Sequence, residues 1–207
     1  MSSSVTARAR LQGPPRRGRS LRTLLGLAVA VGAIALIAPH LEHAVHELAL
    51  PLRDASVIRQ EGAEKHIDPA LIAAVIYAET KFDPRPSSAG AQGLMQILPS
   101  TAEFLAHLSG GVSFRTSDLA TPEVNIAYGT YYLRYLLDHY AGDEMLAVAA
   151  YNAGLTNVDE WVARARAQGG ELTQASIPFP ETREYVHRVL SAQRAYRATY
   201  ARQLGLG

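Results

Sequence analysis

The sequence predicts a mainly α-helical domain behind an apolar N-terminal segment. Few stretches alternate apolar and polar residues with the period of two that a half-buried strand requires. Helix start signals recur instead: Asp68-Pro69, Thr121-Pro122-Glu123 and Asp143 each set a capping or first-turn residue before an apolar run. At 207 residues, with 48% of them hydrophobic, the chain supports one domain with a real core and shows no internal repeat.

Residues 1–22 are rich in Ser, Arg, Gly and Pro and are expected to be a disordered, basic cytoplasmic tail. Residues 23–41 contain no Asp, Glu, Lys or Arg, and their apolar centre is just long enough for a spanning helix. Arginines before it and acids after it orient the N-terminus to the cytoplasm and the remainder outside the membrane. A retained single-pass anchor is favoured over a cleaved signal peptide, for which Ala33-Ile34-Ala35 would be the cleavage site and a secreted protein the result. Residues 42–52 read as a juxtamembrane helix or linker broken at Pro51.

The net charge of +1 conceals an asymmetry. Six arginines fall in the first 22 residues, while all 19 Asp and Glu fall from Glu42 onward, so the rest of the chain is net acidic. That excludes a nucleic-acid partner recognised through a basic surface. The absence of cysteine excludes disulfides, a Cys nucleophile and thiolate metal sites. His43 and His46 have a spacing that could hold a metal, but no third ligand accompanies them, so no metal or cofactor is expected.

A first domain helix is expected over about 53–65, and the next begins with Asp68 as N-cap and Pro69 at the first helical position. Its apolar run, residues 70–78, leads to Glu79, after which Pro84 and Pro86 end the helix. Glu79 thus falls in the last turn of a buried helix. Apolar surroundings and the negative end of the helix dipole both raise a carboxyl pKa there, which suits a general acid. Asp83 follows, but the Pro84 turn is expected to point it elsewhere. Residues 86–97 read as a folded-back loop or small hairpin. Ser100 and Glu103 form a capping-box pattern for a helix over about 101–108. A long helix is expected over about 122–140, another from Asp143 to the Tyr151–Gly154 stretch, one capped by Asn157 to about 167, then a loop and a last helix over about 181–203.

Four segments belong together: A-E-T-K-F-D-P (78–84), G-A-Q-G-L-M-Q-I-L-P-S-T-A (90–102), A-Y-N-A-G (150–154) and P-F-P-E-T-R-E-Y-V (178–186). In this order they resemble the soluble-lytic-transglycosylase (SLT) domain of bacterial peptidoglycan-cleaving enzymes. That family has a lysozyme-like fold close to goose-type lysozymes. The resemblance covers about residues 53–200 and makes 53–207 the catalytic domain. It implies that Glu79 is the acid/base, with Thr80 where the family usually has serine. It also implies that Ser87 (or Ser88) contacts substrate, that Met95 and Gln96 line the sugar cleft, that Tyr151 sits close to the glutamate beside Asn152, and that the Glu181–Tyr185 segment closes one cleft wall. Physical chemistry supports amide recognition of N-acetyl groups by Gln96 and Asn152, and orientation of Glu79 or substrate by the Tyr151 hydroxyl. Against these roles, Met95 and Tyr151 can be read as plain core residues, the less favoured reading, Glu181 as a helix-dipole charge, and Arg183 as one half of a structural ion pair, the favoured reading for it.

The implied reaction is cleavage of the MurNAc-β-1,4-GlcNAc bond of peptidoglycan by a single glutamate, with the substrate's N-acetyl group assisting and a 1,6-anhydro product formed by this lyase chemistry. A lysozyme-type hydrolase would use the same glutamate. A non-catalytic peptidoglycan-binding scaffold would be expected to have lost Glu79, Gln96 or Tyr151, and all three are present.

Overall fold

The computed structural model describes residues 50–84, 87–110 and 114–207, all within a unit spanning Glu47–Gly207. The expectations for residues 1–41, and the histidines at 43 and 46, lie outside the described residues. Among the described residues no helix is long and apolar enough to cross a membrane.

The helices are α1 (Ala55–Lys65), α2 (Pro69–Thr80), α3 (Pro99–Ser109), α4 (Pro122–His139), α5 (Glu144–Ala153), α6 (Leu155–Ala167) and α7 (Pro180–Tyr200). Helix α2 is the hub. Asp68 caps it through a bond accepted from the Ala70 N–H at 3.0 Å, and Pro69 fills its first turn. Every residue from Ala70 to Ile76 is buried, as an evenly apolar helix must be. It packs on α1 and α7, while α5 packs on α4, α6 and α7. The last helix also ties down the chain's entry, since Tyr196 and Tyr200 donate from their hydroxyls to the Pro51 and Leu50 carbonyls.

Two expected caps are replaced. Helix α3 begins at Pro99, with Leu98 as N-cap and no side-chain cap, so Ser100 and Glu103 form no capping box. Proline at the first position needs no acceptor for a missing N–H, and it moves the start ahead of Ser100. Helix α6 begins at Leu155 after Gly154 (φ 84°), and Asn157 instead donates to the Ala153 carbonyl at 2.7 Å. The positive-φ glycine turns the chain at once, leaving no room for a separate cap. Short 3-10 turns at Thr116–Ala120 and Gln174–Ser176 fall in stretches without helical periodicity.

The hairpin expected after α2 is reduced to a tight loop closed by one antiparallel bridge. Gln92 and Ile97 exchange both backbone hydrogen bonds at 3.0 Å. This loop is pressed onto α4 through two glycines. Gly93 has φ 73°, and a Cβ there would lie 2.1 Å from the Asn125 amide nitrogen. A Cβ on Gly129 would lie 2.4 Å from the Met95 sulfur.

Candidate active site

Glu79 occupies the last turn of α2, as its position in the apolar run dictates. It lines a cavity of about 420 Å³ with Ala78, Thr80, Lys81, Asp83 and Gln96. Desolvation by burial pushes its carboxyl from 4.5 up to about 7, against a downward pull from the Tyr185 hydroxyl and the Arg188 charge. Tyr185, buried on α7, donates to Glu79 Oε1 at 2.6 Å. Burial, and then the nearby Glu79 charge, hold the Tyr185 phenol well above its ordinary range, so it remains a neutral donor. The carboxyl is therefore fixed in one orientation and poised to hold or release a proton near neutral pH.

The loop carrying Gln96 is attached from three sides. Thr80 donates to the Leu94 carbonyl at 2.9 Å, tying the loop to the end of α2. Tyr151, on α5, donates to the Met95 carbonyl at 2.9 Å. Asn125, fully buried on α4, accepts from the Met95 N–H at 2.7 Å and donates to the Gln92 and Leu119 carbonyls at 2.8 and 3.1 Å. Gln96 itself sits at φ 48°, and its amide donates to the Gly93 carbonyl at 2.9 Å. The three attachments hold that left-handed backbone.

The expected site residues divide by location. Glu79 and Gln96 line the cavity, and Tyr185 braces the glutamate. Tyr151 lies close enough for the Glu79 charge to raise its phenol pKa after burial, but its hydroxyl is spent on the Met95 carbonyl rather than on Glu79. The direct brace is Tyr185, two helices further along the chain. Met95 contributes backbone only, its side chain being fully buried against Gly129 in the core instead of facing the cavity. Asn152, exposed, accepts from the Thr182 hydroxyl at 2.8 Å, linking α5 to the first turn of α7. Ser87 accepts from the Ala91 N–H at 2.8 Å and shapes its own turn, while Glu181 is exposed on the first turn of α7. Neither is among the residues lining the cavity. Arg183 donates to the Ala175 and Ile177 carbonyls, so among the described residues its structural role is met by backbone acceptors rather than by the expected ion pair.

Asp83 departs from the expectation that its turn points it away. Lys81 and Phe82 are both left-handed (φ 52° and 62°), and the Asp83 N–H returns to the Thr80 carbonyl at 2.9 Å. Two consecutive left-handed residues reverse the chain before Pro84 acts, so Asp83 lines the same cavity as Glu79. Burial of Phe82 against Tyr196, with ring centroids 6.3 Å apart, offsets the strain of roughly 1 kcal/mol or more per residue.

Sequence reasoning missed Asn125, Thr80 as a loop anchor, and Arg188. Asn125 carried a legible signal: it shares a helix face with Gly129 and is polar where that face is otherwise apolar. Among the described residues no group of three or more His, Cys, Asp or Glu is placed to hold a metal.

Tyr185→Phe tests the electrostatics directly. It removes a hydrogen bond that favours the ionised carboxylate, so Glu79 should titrate above its present value of about 7. Carbon-detected NMR of the glutamate carboxyls reads this shift; an unchanged or lowered titration would contradict the assigned bond.

The described geometry has counterparts. Residues 56–174 match the family model of the transglycosylase SLT domain, and residues 176–206 match the soluble lytic transglycosylase helical domain. The soluble lytic murein transglycosylase of Salmonella typhimurium is 36% identical over 136 residues, which are 64% of this chain and 21% of that protein. The 70-kDa soluble lytic transglycosylase of Escherichia coli superposes with a TM-score of 0.68 at 32% identity, covering 73% of this chain and 25% of that one. An inactive mutant of the lytic transglycosylase Slt from Pseudomonas aeruginosa also gives 0.68, at 29% identity, covering 86% of this chain and 29% of that one. The chain thus spans between a fifth and a third of the length of these relatives. The match over more than half of its residues, on a mainly α-helical fold, places this chain in the transglycosylase SLT domain family.

Proposed function

We propose that this protein is a peptidoglycan lytic transglycosylase. The observation that carries the reading is Glu79: one carboxyl, desolvated to titrate near 7, oriented by a neutral phenol and open to a cavity. In this mechanism the protonated Glu79 gives its proton to the glycosidic oxygen between N-acetylmuramic acid and N-acetylglucosamine. That C1–O bond breaks with its electron pair on the departing oxygen. The N-acetyl oxygen of the muramic residue supports the positive charge at C1, the substrate-assisted alternative to a carboxylate nucleophile. The Glu79 carboxylate then takes the proton of the same sugar's C6 hydroxyl as that oxygen bonds C1, closing the 1,6-anhydro ring and restoring the acid. Gln96, whose amide also donates to the Gly93 carbonyl, lines the cavity where an N-acetyl or hydroxyl group of the glycan would approach. The residues forming Glu79's helix floor, Val75 and Ile76, are fully buried and keep water from beneath the carboxyl.

A second reading, hydrolysis on the same fold, draws support from Asp83, because a second carboxylate in the same cavity could orient water. Mass spectrometry of muropeptides released by the full chain from purified peptidoglycan decides between them. Anhydromuramic ends, lighter than hydrolysis products by one water, are expected. Reducing muramic ends would replace the lyase assignment with hydrolysis, and no release at all would return the non-catalytic binding role.

The apolar stretch 23–41 is proposed as a membrane anchor that holds the domain on the extracytoplasmic side, beside its glycan substrate. Its retention or removal is read from the N-terminus of the mature protein.

A further inference from the structure

Behind the candidate site lies a charge that the proposed mechanism does not use. Arg188 follows Tyr185 by three residues on α7, so the two side chains share one helix face. Its guanidinium carbon lies 5.6 Å from the Tyr185 ring centroid, over the face that attracts cations. The hydroxyl of that same ring is the 2.6 Å donor to Glu79. Cation, phenol and carboxyl therefore form one chain, running from exposed surface to the half-buried acid.

We infer that Arg188 is a positioning residue of this site: it holds the Tyr185 phenol against Glu79 and makes the working pH range of the carboxyl depend on a charge at the domain surface.

The physical argument has two parts, and it rests on Glu79 acting as acid and then base. A group that must do both works best when its proton is balanced near the operating pH. Burial alone pushes Glu79 past that balance, and the Tyr185 bond and the Arg188 charge both act in the opposite direction. Arg188 also pulls the Tyr185 phenol down from the level that burial and Glu79 would set, which strengthens its hydrogen bond to a carboxylate. The other groups facing Glu79 do not substitute for it. Tyr151 on α5 is neutral and committed to Met95, and Gln96 is uncharged. Lys81 and Asp83, on the turn after α2, bring opposite charges to the cavity, and Glu181 on α7 is exposed and outside the cavity lining. Because Arg188 is exposed, salt should screen its effect over a Debye length of about 8–10 Å near physiological ionic strength.

The test follows the titration of Glu79 in the full chain held in detergent, by carbon-detected NMR, and the pH dependence of kcat/KM on purified peptidoglycan. Arg188→Met should raise the titration by roughly half to one pH unit and lower kcat about three- to tenfold with KM little changed. Arg188→Lys, which keeps the charge, should restore most of the titration. Raising salt from low to high should move the wild-type titration upward and leave Arg188→Met unmoved. Arg194→Met, on the same helix but two turns further on, serves as a charge control and should behave as wild type. An unmoved titration in Arg188→Met, an equal shift in Arg194→Met, or a salt response that survives loss of Arg188 would each overturn the inference. Because NMR reads the carboxyl without turnover, a protein that cleaves no glycan would refute the proposed function while still deciding the role of Arg188.

Discussion

Glu79→Gln is expected to leave a folded protein whose glycan cleavage falls by at least about 100-fold, the ordinary worth of a positioned general acid. Glutamine keeps the shape and still accepts from the Tyr185 hydroxyl, but it has no proton to give and no charge to take one back. The same substitution should change stability in a pH-dependent way. In the unfolded chain the Glu79 carboxyl titrates near 4.5, and in the folded protein near 7. Below the lower value it is protonated in both states and does not affect the balance. Between them the folded state holds the extra proton, so the favourable contribution of the neutral acid is lost progressively as pH rises, and above about 7 the loss is complete. Integrated over that window, the loss amounts to roughly 3–4 kcal/mol at most. Glu79→Gln should therefore match the wild type near pH 4 and exceed it near pH 8. Urea unfolding of both proteins at the two pH values measures this. Equal stability at pH 8, or cleavage within a few-fold of wild type, would remove Glu79 from its role.

Asn125 should produce the largest structural effect. One fully buried amide bonds the Met95 N–H and the Gln92 carbonyl, both about thirty positions away, and the Leu119 carbonyl six positions before it. Asn125→Ala leaves the Met95 N–H and the Leu119 carbonyl without their partner and strips the Gln92 carbonyl of one of its two donors, the other being the Ile97 N–H. At roughly 1 kcal/mol or more for each unpaired group, it should cost about 2–3 kcal/mol. Asn125→Asp retains the acceptor for Met95 but sets a carboxylate against two carbonyl oxygens, and should be no better. Both should also release the loop that carries Gln96, so kcat/KM should fall about 10- to 100-fold even though residue 125 does not line the cavity. Thermal unfolding and steady-state cleavage read the two effects separately. A loss of stability with activity intact would mean that the loop is positioned sufficiently by Thr80 and Tyr151 alone.

These two residues mark the boundary between what was legible in the chain and what was not. Asp68-Pro69, the apolar run and Glu79 define a buried helix ending in a carboxyl, because capping and burial act over a few residues, although left-handed Lys81 rather than a proline ends it. The remaining helices from α4 onward were readable for the same reason, to within a few residues at their ends. The family was readable because four short motifs occur in one order.

Contacts distant in sequence were not readable in this way. The partner of Glu79 lies 106 positions away, and nothing in the local pattern prefers Tyr185 over Tyr151 as the donor. Likewise, no local rule turns Met95 into the core while leaving Gln96 at the cavity; that follows from Gly129 and Asn125 on α4. Asp83 depended on two consecutive left-handed residues that Lys81 and Phe82 adopt because Phe82 gains a buried place against Tyr196. The sequence by itself thus determined the helices, the family and the place of the Glu79 carboxyl at the end of a buried helix. Only the tertiary structure decided which side chains orient that acid, and how far burial raises its pKa, because desolvation and hydrogen bonding are summed over everything that packs around a group rather than over its neighbours in the chain.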